Sequence, residues 1–373
     1  MPPADLHATV RAALRAPADA APSEADFDAL ARQIFQHQFE HNRPYRAYCE
    51  RRDVTPAQLD HWTQIPPVPV AAFREVPLVA GDAHDARAVF RTSGTTGGSD
   101  RRGTHYLIDP SVYEASLLPT FAAYVLADGA RPDTLALVPP RAQLPDSSLA
   151  YMIDVVIRKF GGAGSTYAVD ANTGIDLAAA AAWLEAAAEG DRPVALLGTS
   201  FSFVHLLDHL AEEGRRYQLP PGSRMMDTGG YKGRSREVPA DRLRELYGEF
   251  FGIEPTYCIN EYGMTELCSQ YYDATLHDAV RGVAGRPRRK RGPPWLRPRV
   301  LDPDTLQPVA AGEVGILAHY DLANVDSVLA ILTEDRGREV EDGFVVLGRA
   351  QGAVPRGCSI ALDDLLSATR ERP

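Results

Sequence analysis

Between residues 109 and 259, short uninterrupted apolar runs alternate with stretches of helical periodicity, and few folds accept that pattern. Residues 134–138 are almost wholly apolar and stop at Pro139-Pro140, and 194–197 form a second such run. A strand that is apolar on both faces must be covered on both, which is the condition of a parallel sheet between helices. Residues 111–126, 149–160, 177–188 and 203–213 read as the covering helices, and 165–169 as a further strand. The expected class is α/β with a mainly parallel sheet, whose ligands bind beyond the carboxyl ends of the strands.

The flanks differ in texture. Residues 1–84 read as a helical segment packed on the main domain: Ser23-Glu24-Ala25-Asp26 carries a helix-start signal, and Phe27, Leu30, Ile34 and Phe35 share a face. Ile65-Pro66-Pro67-Val68-Pro69-Val70 cannot be helical and reads as an extended linker. The α/β core is assigned to 85–281, a β-rich lobe of short strands and Asp/Pro/Gly turns to 282–347, and a hinge with a short arm to 348–373. No run of apolar residues is long enough to span a bilayer, and the first residues lack a basic-then-apolar leader. Four cysteines, Cys49, Cys258, Cys268 and Cys358, form neither a disulfide framework nor a CxxC pair, so a reducing cytoplasm is expected. A net charge of −11 argues against general nucleic-acid binding.

One loop stands out chemically. Phe90-Arg91-Thr92-Ser93-Gly94-Thr95-Thr96-Gly97-Gly98 follows the apolar 88–90. Glycines let backbone N–H groups turn inward and hydroxyls add donors, so such a loop can close round a phosphate. Other patterns read as ordinary structure. Residues 162–167 lack the last glycine of a dinucleotide fingerprint and form a helix-to-strand turn; 98–104 lack the Walker lysine; His205 and His209 lack a zinc protease's glutamate. The run Arg286-Pro287-Arg288-Arg289-Lys290-Arg291 reads as a solvated loop, with a dock for an acidic partner or for phosphates as the alternative.

Four further segments supply what a nucleotide loop needs. Asn260-Glu261-Tyr262-Gly263-Met264-Thr265-Glu266 offers a flat ring for adenine, a hydroxyl for a phosphate and a carboxylate for Mg²⁺. Asp227-Thr228-Gly229-Gly230-Tyr231 permits close backbone approach. Leu332-Thr333-Glu334-Asp335 ends in an acceptor suited to ribose hydroxyls, and Val346-Leu347-Gly348-Arg349 in a guanidinium suited to sugar and phosphate.

Thr92 to Gly97, Tyr262 to Glu266, Thr333-Glu334-Asp335 and Leu347-Gly348-Arg349 stand in the order seen in adenylate-forming acid ligases, which the sequence resembles over roughly 85–360. Within that superfamily it resembles the acyl-protein synthetases (the LuxE family) of the bioluminescence fatty-acid reductase complex. Arg102-Gly103-Thr104-His105 after the loop and Arg356-Gly357-Cys358-Ser359 near the end carry this narrower likeness. The resemblance implies an adenylate-forming-enzyme-like large domain, a β-rich lobe and a severely truncated C-terminal domain. It implies activation of a carboxylic, fatty acid by ATP and Mg²⁺ to acyl-AMP. The acyl group then passes to the protein's own cysteine and on to an acyl-reductase or other acyl-accepting protein; a homo-oligomer is left open.

Carried over residue by residue, Thr92, Ser93, Gly94, Thr95, Thr96 and Gly97 would bind the triphosphate, with Gly229, Gly230, Gly263 and Met264 completing the nucleotide site. Tyr262 would stack on adenine, Thr265 would contact the α-phosphate and Glu266 the Mg²⁺. Asp335 and Arg349 would hold the ribose, and Cys358 would accept the acyl group. Two departures matter. Ser99-Asp100-Arg101-Arg102 replaces the ligases' proline-lysine pair, and only residues 350–373 follow the hinge where those ligases carry a whole lobe with a catalytic lysine.

The chemistry explains the residue types. A carboxylate attacking a phosphate brings two anions together, so cations and fixed N–H donors must offset their repulsion. The thiolate is the nucleophile at a cysteine, and Arg349, Arg356 and the start of a final short helix are expected to lower the Cys358 pKa. Gly348, Gly352 and Gly357 make the segment read as a mobile arm, against the plainer reading of Cys358 as a small buried residue. Cys49, Cys258 and Cys268 are taken as structural, in helix, strand and helix. Phe201, Phe203, Val204, Gly229 and Met264 are candidates to line an acid site, though core packing uses the same types. The alternatives are a truncated acyl-CoA or carrier-protein ligase and a catalytically degenerate scaffold of the same fold.

Overall fold

The uninterrupted apolar runs become neighbouring parallel strands in a computed structural model that describes residues 3–20, 23–92, 102–229, 236–283, 285–349 and 355–370. The chain divides into two units: residues 1–120, 264–270 and 289–373 form the first, and 121–263 and 271–288 the second. Ser93, Gly94, Thr95, Thr96, Gly97, Gly230 and Gly352 lie outside the described residues.

In the second unit Asp133–Leu137, Val194–Thr199, Arg224–Thr228 and Cys258–Tyr262 run parallel side by side. Leu135 stands beside Leu196, and Leu196 beside Met225. Thr166–Tyr167 extends one edge in parallel and Tyr271–Asp273 the other in antiparallel sense. The helices Ser148–Phe160, Leu177–Ala188 and Ser200–Glu212 alternate with these strands, as their spacing predicts, and Ala240–Phe251 is a further helix outside those read from periodicity. Ser147, Asp176 and Thr199 cap three of them through side-chain oxygens that accept from backbone N–H groups. One apolar cluster, including Leu135, Leu196, Phe203, Met225, Tyr247 and Phe251, fills the space between sheet and helices. Phe203 and Val204 belong to this cluster, with Phe203 edge-on to Tyr247 at 5.4 Å, so they serve the core rather than an acid site.

In the first unit the helix Glu24–His41 starts where its cap predicts: the Ser23 hydroxyl accepts from the Asp26 N–H at 3.2 Å. Phe27, Leu30, Ile34 and Phe35 are all buried on its inner face. The proline-rich linker contributes a short strand, Val68–Pro69, parallel to Ile331 and Leu332. Tyr45 and Tyr48 donate their hydroxyls to the carbonyls of Pro66 and Pro67, which have no β partner of their own. The β-rich lobe is an antiparallel meander of Leu296–Leu301, Val314–Asp321, Ala330–Val340 and Gly343–Arg349. A separate hairpin, Ala88–Arg91 with Thr104–Leu107, brackets the Gly/Ser/Thr loop. The final helix, Arg356–Arg370, packs on the helix Arg43–Arg51 and the strand Val68–Pro69.

Two expectations are corrected. The basic run is solvated only at its start: Arg286 and Pro287 are exposed, but Arg288 donates to Asp273 at 2.6 Å and to the Cys258 carbonyl at 2.7 Å, while Arg289 is buried and pairs with Asp342 at 3.0 Å. Guanidinium groups that meet carboxylates and carbonyls need no water. Cys268 is not helical; it lies in the bends between Cys258–Tyr262 and Tyr271–Asp273. Among the described residues no helix is long and apolar enough to cross a membrane.

Candidate active site

The parallel strands of the second unit end together. Thr199 stands beside Thr228, and Thr228 beside Glu261, so three strands deliver polar residues to one carboxyl edge. There Gly229 takes φ +74°, and a Cβ added to it would meet nothing within 4 Å. Glycine thus turns the chain off the strand and leaves its backbone approachable. Tyr262 closes the neighbouring strand half-buried, 6.1 Å from the Tyr271 ring, and Gly263 follows it.

Behind this edge lies a buried polar network that the sequence reading did not single out. Asn260 donates its amide to Asp227 Oδ1 at 2.9 Å, and Ser200 donates to Asp227 Oδ2 and to the Gly229 carbonyl, each at 3.1 Å. Tyr247 reaches the same carboxylate at 3.3 Å, and Thr228 donates to the buried Glu261. Asp227 and Asn260 sit inside the motifs quoted above. The available signal was a polar residue directly after an apolar pair, Met225-Met226 before Asp227 and Cys258-Ile259 before Asn260, which burial tolerates only when it is paired.

The first unit holds the remaining described candidates. Thr92 stands at the neck of the loop: its N–H donates to the Gly103 carbonyl at 2.9 Å, and its hydroxyl accepts from the Gly103 N–H at 2.8 Å. Arg102 donates to the carbonyls of Thr92 (2.6 Å) and Arg91 (3.1 Å). Met264 and Thr265 are half-buried and Glu266 is buried, on a segment without regular secondary structure. That segment is held by its backbone. His105 Nδ1 lies 2.8 Å from the Thr265 carbonyl, Asn324 donates to the Glu266 carbonyl at 2.9 Å, and Asp321 accepts the N–H groups of Cys268 and Ser269 at 2.9 and 2.8 Å. Burial lifts the Asp321 pKa to about 6 despite those donors. Burial also holds His105 below the ordinary histidine range.

Asp335 and Arg349 are register partners on adjacent antiparallel strands, with Arg349 Nε 3.8 Å from Asp335 Oδ1. Arg349 is exposed. Two residues before Asp335, the Thr333 carbonyl receives the Cys358 thiol at 3.6 Å. Cys358 is 4% exposed, in the first turn of the last helix. Its pKa is not lowered. Burial, followed by the Glu334 charge, pushes it up to about 12. The desolvation that Cys358 experiences outweighs the cations near it in sequence.

Hydroxyls and backbone N–H groups at strand ends suit the handling of anions; among the described residues no cluster of three His, Cys, Asp or Glu is arranged to hold a metal. The chain resembles known proteins over nearly its whole length. Its identity is 22% over 356 residues to a long-chain-fatty-acid–luciferin-component ligase of Vibrio harveyi, covering 92% of this chain and 88% of that protein. For the Aliivibrio fischeri ligase of the same name it is 23% over 357 residues, with coverage of 91% and 88%. The fold matches 2-hydroxyisobutyryl-CoA ligase, solved with 2-HIB-AMP and CoA, at a TM-score of 0.60 and 18% identity over 89% of this chain and 67% of that one. An open form of that ligase gives 0.60 and 17% over 86% and 73%. The sequence model of the acyl-protein synthetases, LuxE, matches residues 23–367, and the chain belongs to that family.

Proposed function

We propose that the protein activates a long-chain fatty acid with ATP and stores the acyl group as a thioester on Cys358, for delivery to an acyl-reductase. In the first step a carboxylate oxygen attacks the α-phosphorus, the bond to the β-phosphate bridge breaks, and pyrophosphate leaves. In the second, the Cys358 thiolate attacks the acyl carbon, the bond to the AMP oxygen breaks, and AMP leaves; the thiol proton passes to solvent. Tyr262 presents its ring to adenine, the 92–97 loop and Gly229-Gly230 present N–H groups to phosphates, and Thr265 presents its hydroxyl. Asp335 takes the ribose hydroxyls beside Arg349. Asp227, held by Asn260, Ser200 and Tyr247, keeps the Gly229 turn in place.

Magnesium fits the residues present. Mg²⁺ is commonly held by one or two carboxylates plus substrate phosphates, so the single buried carboxylate of Glu266 suffices on the protein side. When bound there it would neutralise phosphate charge.

The observation that carries the reading is the tether of Cys358 to Thr333, on the strand that also bears Asp335. The thiol, on the final helix, therefore docks against the strand that carries a nucleotide candidate. The test is intact-protein and peptide mass spectrometry after incubation with ATP, Mg²⁺ and a panel of acids. An acyl mass should appear on Cys358 and vanish in Cys358→Ala, while ATP–pyrophosphate exchange persists there and is lost in Glu266→Gln. An acyl mass on another residue removes the acceptor role, and absence of exchange with every acid removes the activity. A second reading draws on the burial of Cys358: an external thiol, of CoA or a carrier protein, takes the acyl group. Thioester formation on CoA by Cys358→Ala would establish it.

A further inference from the structure

His105 is a polar side chain at a position the fold could fill with carbon. It is 1% exposed on the strand Thr104–Leu107, and Phe73 lies edge-on to it at 5.9 Å. Burying an imidazole is unfavourable unless its nitrogens find partners. Both ring nitrogens face acceptors far away in sequence, Nδ1 lying 2.8 Å from the Thr265 carbonyl and Nε2 3.0 Å from Asn324 Oδ1, and the single N–H of the neutral ring donates to one of them. The amide nitrogen of Asn324 in turn donates to the Glu266 carbonyl at 2.9 Å. Two consecutive carbonyls, those of Thr265 and Glu266, are thus held by one linked pair of side chains.

The rest of the segment is fixed separately. Asp321 takes the N–H groups of Cys268 and Ser269 and the Ser269 hydroxyl, which anchors the chain two residues later. Nothing in that second anchor sets the direction of the Thr265 and Glu266 side chains. His105 is also tied to the other end of the chemistry. It lies two residues past Gly103, whose N–H and carbonyl close the neck of the 92–97 loop against Thr92. His105↔Phe90 pairing completes that hairpin.

We propose that His105 is a positioning residue that locks the Thr265-Glu266 backbone to the hairpin bearing the phosphate loop. The inference rests on the roles given above to Thr265, Glu266 and the loop. A plain core histidine would satisfy its ring anywhere. This one joins two segments 160 positions apart that must keep a fixed spacing if they are to hold one triphosphate. Misplacement of a reacting group by about 1 Å costs on the order of 10²-fold in rate, so even a small slip of these carbonyls would be visible in kcat.

The experiment uses the full chain with His105→Phe, which keeps the ring volume and removes both contacts, and His105→Asn, whose amide reaches where Nδ1 sits. Deuterium uptake is followed for peptides covering 264–270, with 194–199 as the internal reference. ATP–pyrophosphate exchange, with ATP and the acid varied in turn, gives kcat and both KM values. In His105→Phe, uptake at 264–270 should rise and kcat should fall about ten- to hundredfold, with KM for the acid unchanged; His105→Asn should recover kcat to within about threefold. Uptake and kcat both at wild-type values in a folded His105→Phe overturn the clamp and leave the roles of Thr265 and Glu266 standing. Raised uptake with unchanged kcat removes those roles instead, and the proposal falls with them. If His105→Phe does not fold, His105→Asn is compared with His105→Gln, whose amide reaches Nε2 rather than Nδ1. Asn must be the faster, and equal rates overturn the proposal.

Discussion

Gly357→Ala should bring the buried Cys358 thiol into solution. A Cβ at Gly357 would sit 2.7 Å from the Pro303 carbonyl oxygen and 2.7 Å from Leu306 Cδ2. The Pro303 carbonyl cannot retreat freely, because it also accepts the Gly357 N–H at 2.8 Å. Overpacking of this kind costs about 1–3 kcal/mol, and here only the docked helix bears it. The undocked population should therefore rise about 5- to 150-fold, at about 1.36 kcal/mol per decade.

Thiol alkylation reads that population directly. With its pKa pushed up to about 12, the docked thiol is about one part in ten thousand thiolate at pH 8. A free cysteine with a pKa of about 8.5 is about one quarter thiolate, so the docked state labels about 10³ times more slowly. Iodoacetamide labelling at pH 8, followed by peptide mass spectrometry, should give slow modification of Cys358 in the wild type and much faster modification in Gly357→Ala. The buried Cys258 and Cys268 serve as controls that should change in neither; Cys49 is not one, because it lies on the helix Arg43–Arg51 that the final helix covers. Asp364→Asn is a graded comparison. Asp364 pairs with Arg52 at 3.0 Å and Arg51 at 3.6 Å across a partly exposed contact, worth about 0.2–1 kcal/mol, so its labelling should rise less than about sixfold. Wild-type Cys358 labelled at the free-thiol rate, or Gly357→Ala labelled no faster than wild type, refutes the argument.

Asp321→Asn should destabilise the protein by about 1–3 kcal/mol at pH 7, because its amide NH₂ would face N–H donors that the carboxylate accepts. The Asp321 pKa is raised by burial to about 6, so its protonation favours the folded state, and the wild type gains stability relative to the variant as pH falls from 7 to 4. Over that span denaturant melts should show the gap widening by about 2 kcal/mol; a gap that narrows would mean the carboxylate is stabilised charged. Arg224 is fully buried, donating to both oxygens of Asp128 at 2.7 and 2.8 Å and to the Val125 and Gly222 carbonyls. Arg224→Ala should therefore cost about 3–5 kcal/mol in urea unfolding, and a loss under 1 kcal/mol would show the pair to be dispensable. Tyr262→Ala should raise the KM for ATP about tenfold while Tyr262→Phe leaves it near wild type, since ring stacking rather than the hydroxyl is at stake. Equal effects of the two substitutions would remove the stacking role.

What the sequence made legible was local. The helix at 24–41 was readable because its cap, Ser23, and its buried face, Phe27 to Phe35, lie within a few turns of one another. The strands at 133–137 and 194–199 were readable because burial on both faces leaves an apolar run that no helix period explains. The motifs around Tyr262 and Asp335 were readable as residue types in order. His105, Asn324 and Asp321 were not, because each matters only through a partner between 52 and 219 positions away. Nor was the fate of the basic run, since Asp273, which takes up Arg288, lies on a separate strand, and Asp342, which takes up Arg289, lies in the turn between the last two strands.

Cys358 shows why the error took the direction it did. Along the chain its neighbours are Arg349 and Arg356, and counting charges in sequence gives a lowered pKa. In space the thiol meets the Thr333 carbonyl, the Glu334 charge and very little water, and the shift reverses. Desolvation has no signature in a string of letters, because it is set by what the rest of the chain lays over a residue. The reversal constrains the mechanism as well. A thiol held near a pKa of about 12 is a poor nucleophile at neutral pH, so a Cys358 that accepts an acyl group must first leave its contact with Thr333. On the proposed function, acyl transfer then requires the helix Arg356–Arg370 to let go of its neighbours, and Gly357→Ala, which weakens that hold without touching the thiol, should transfer faster than wild type.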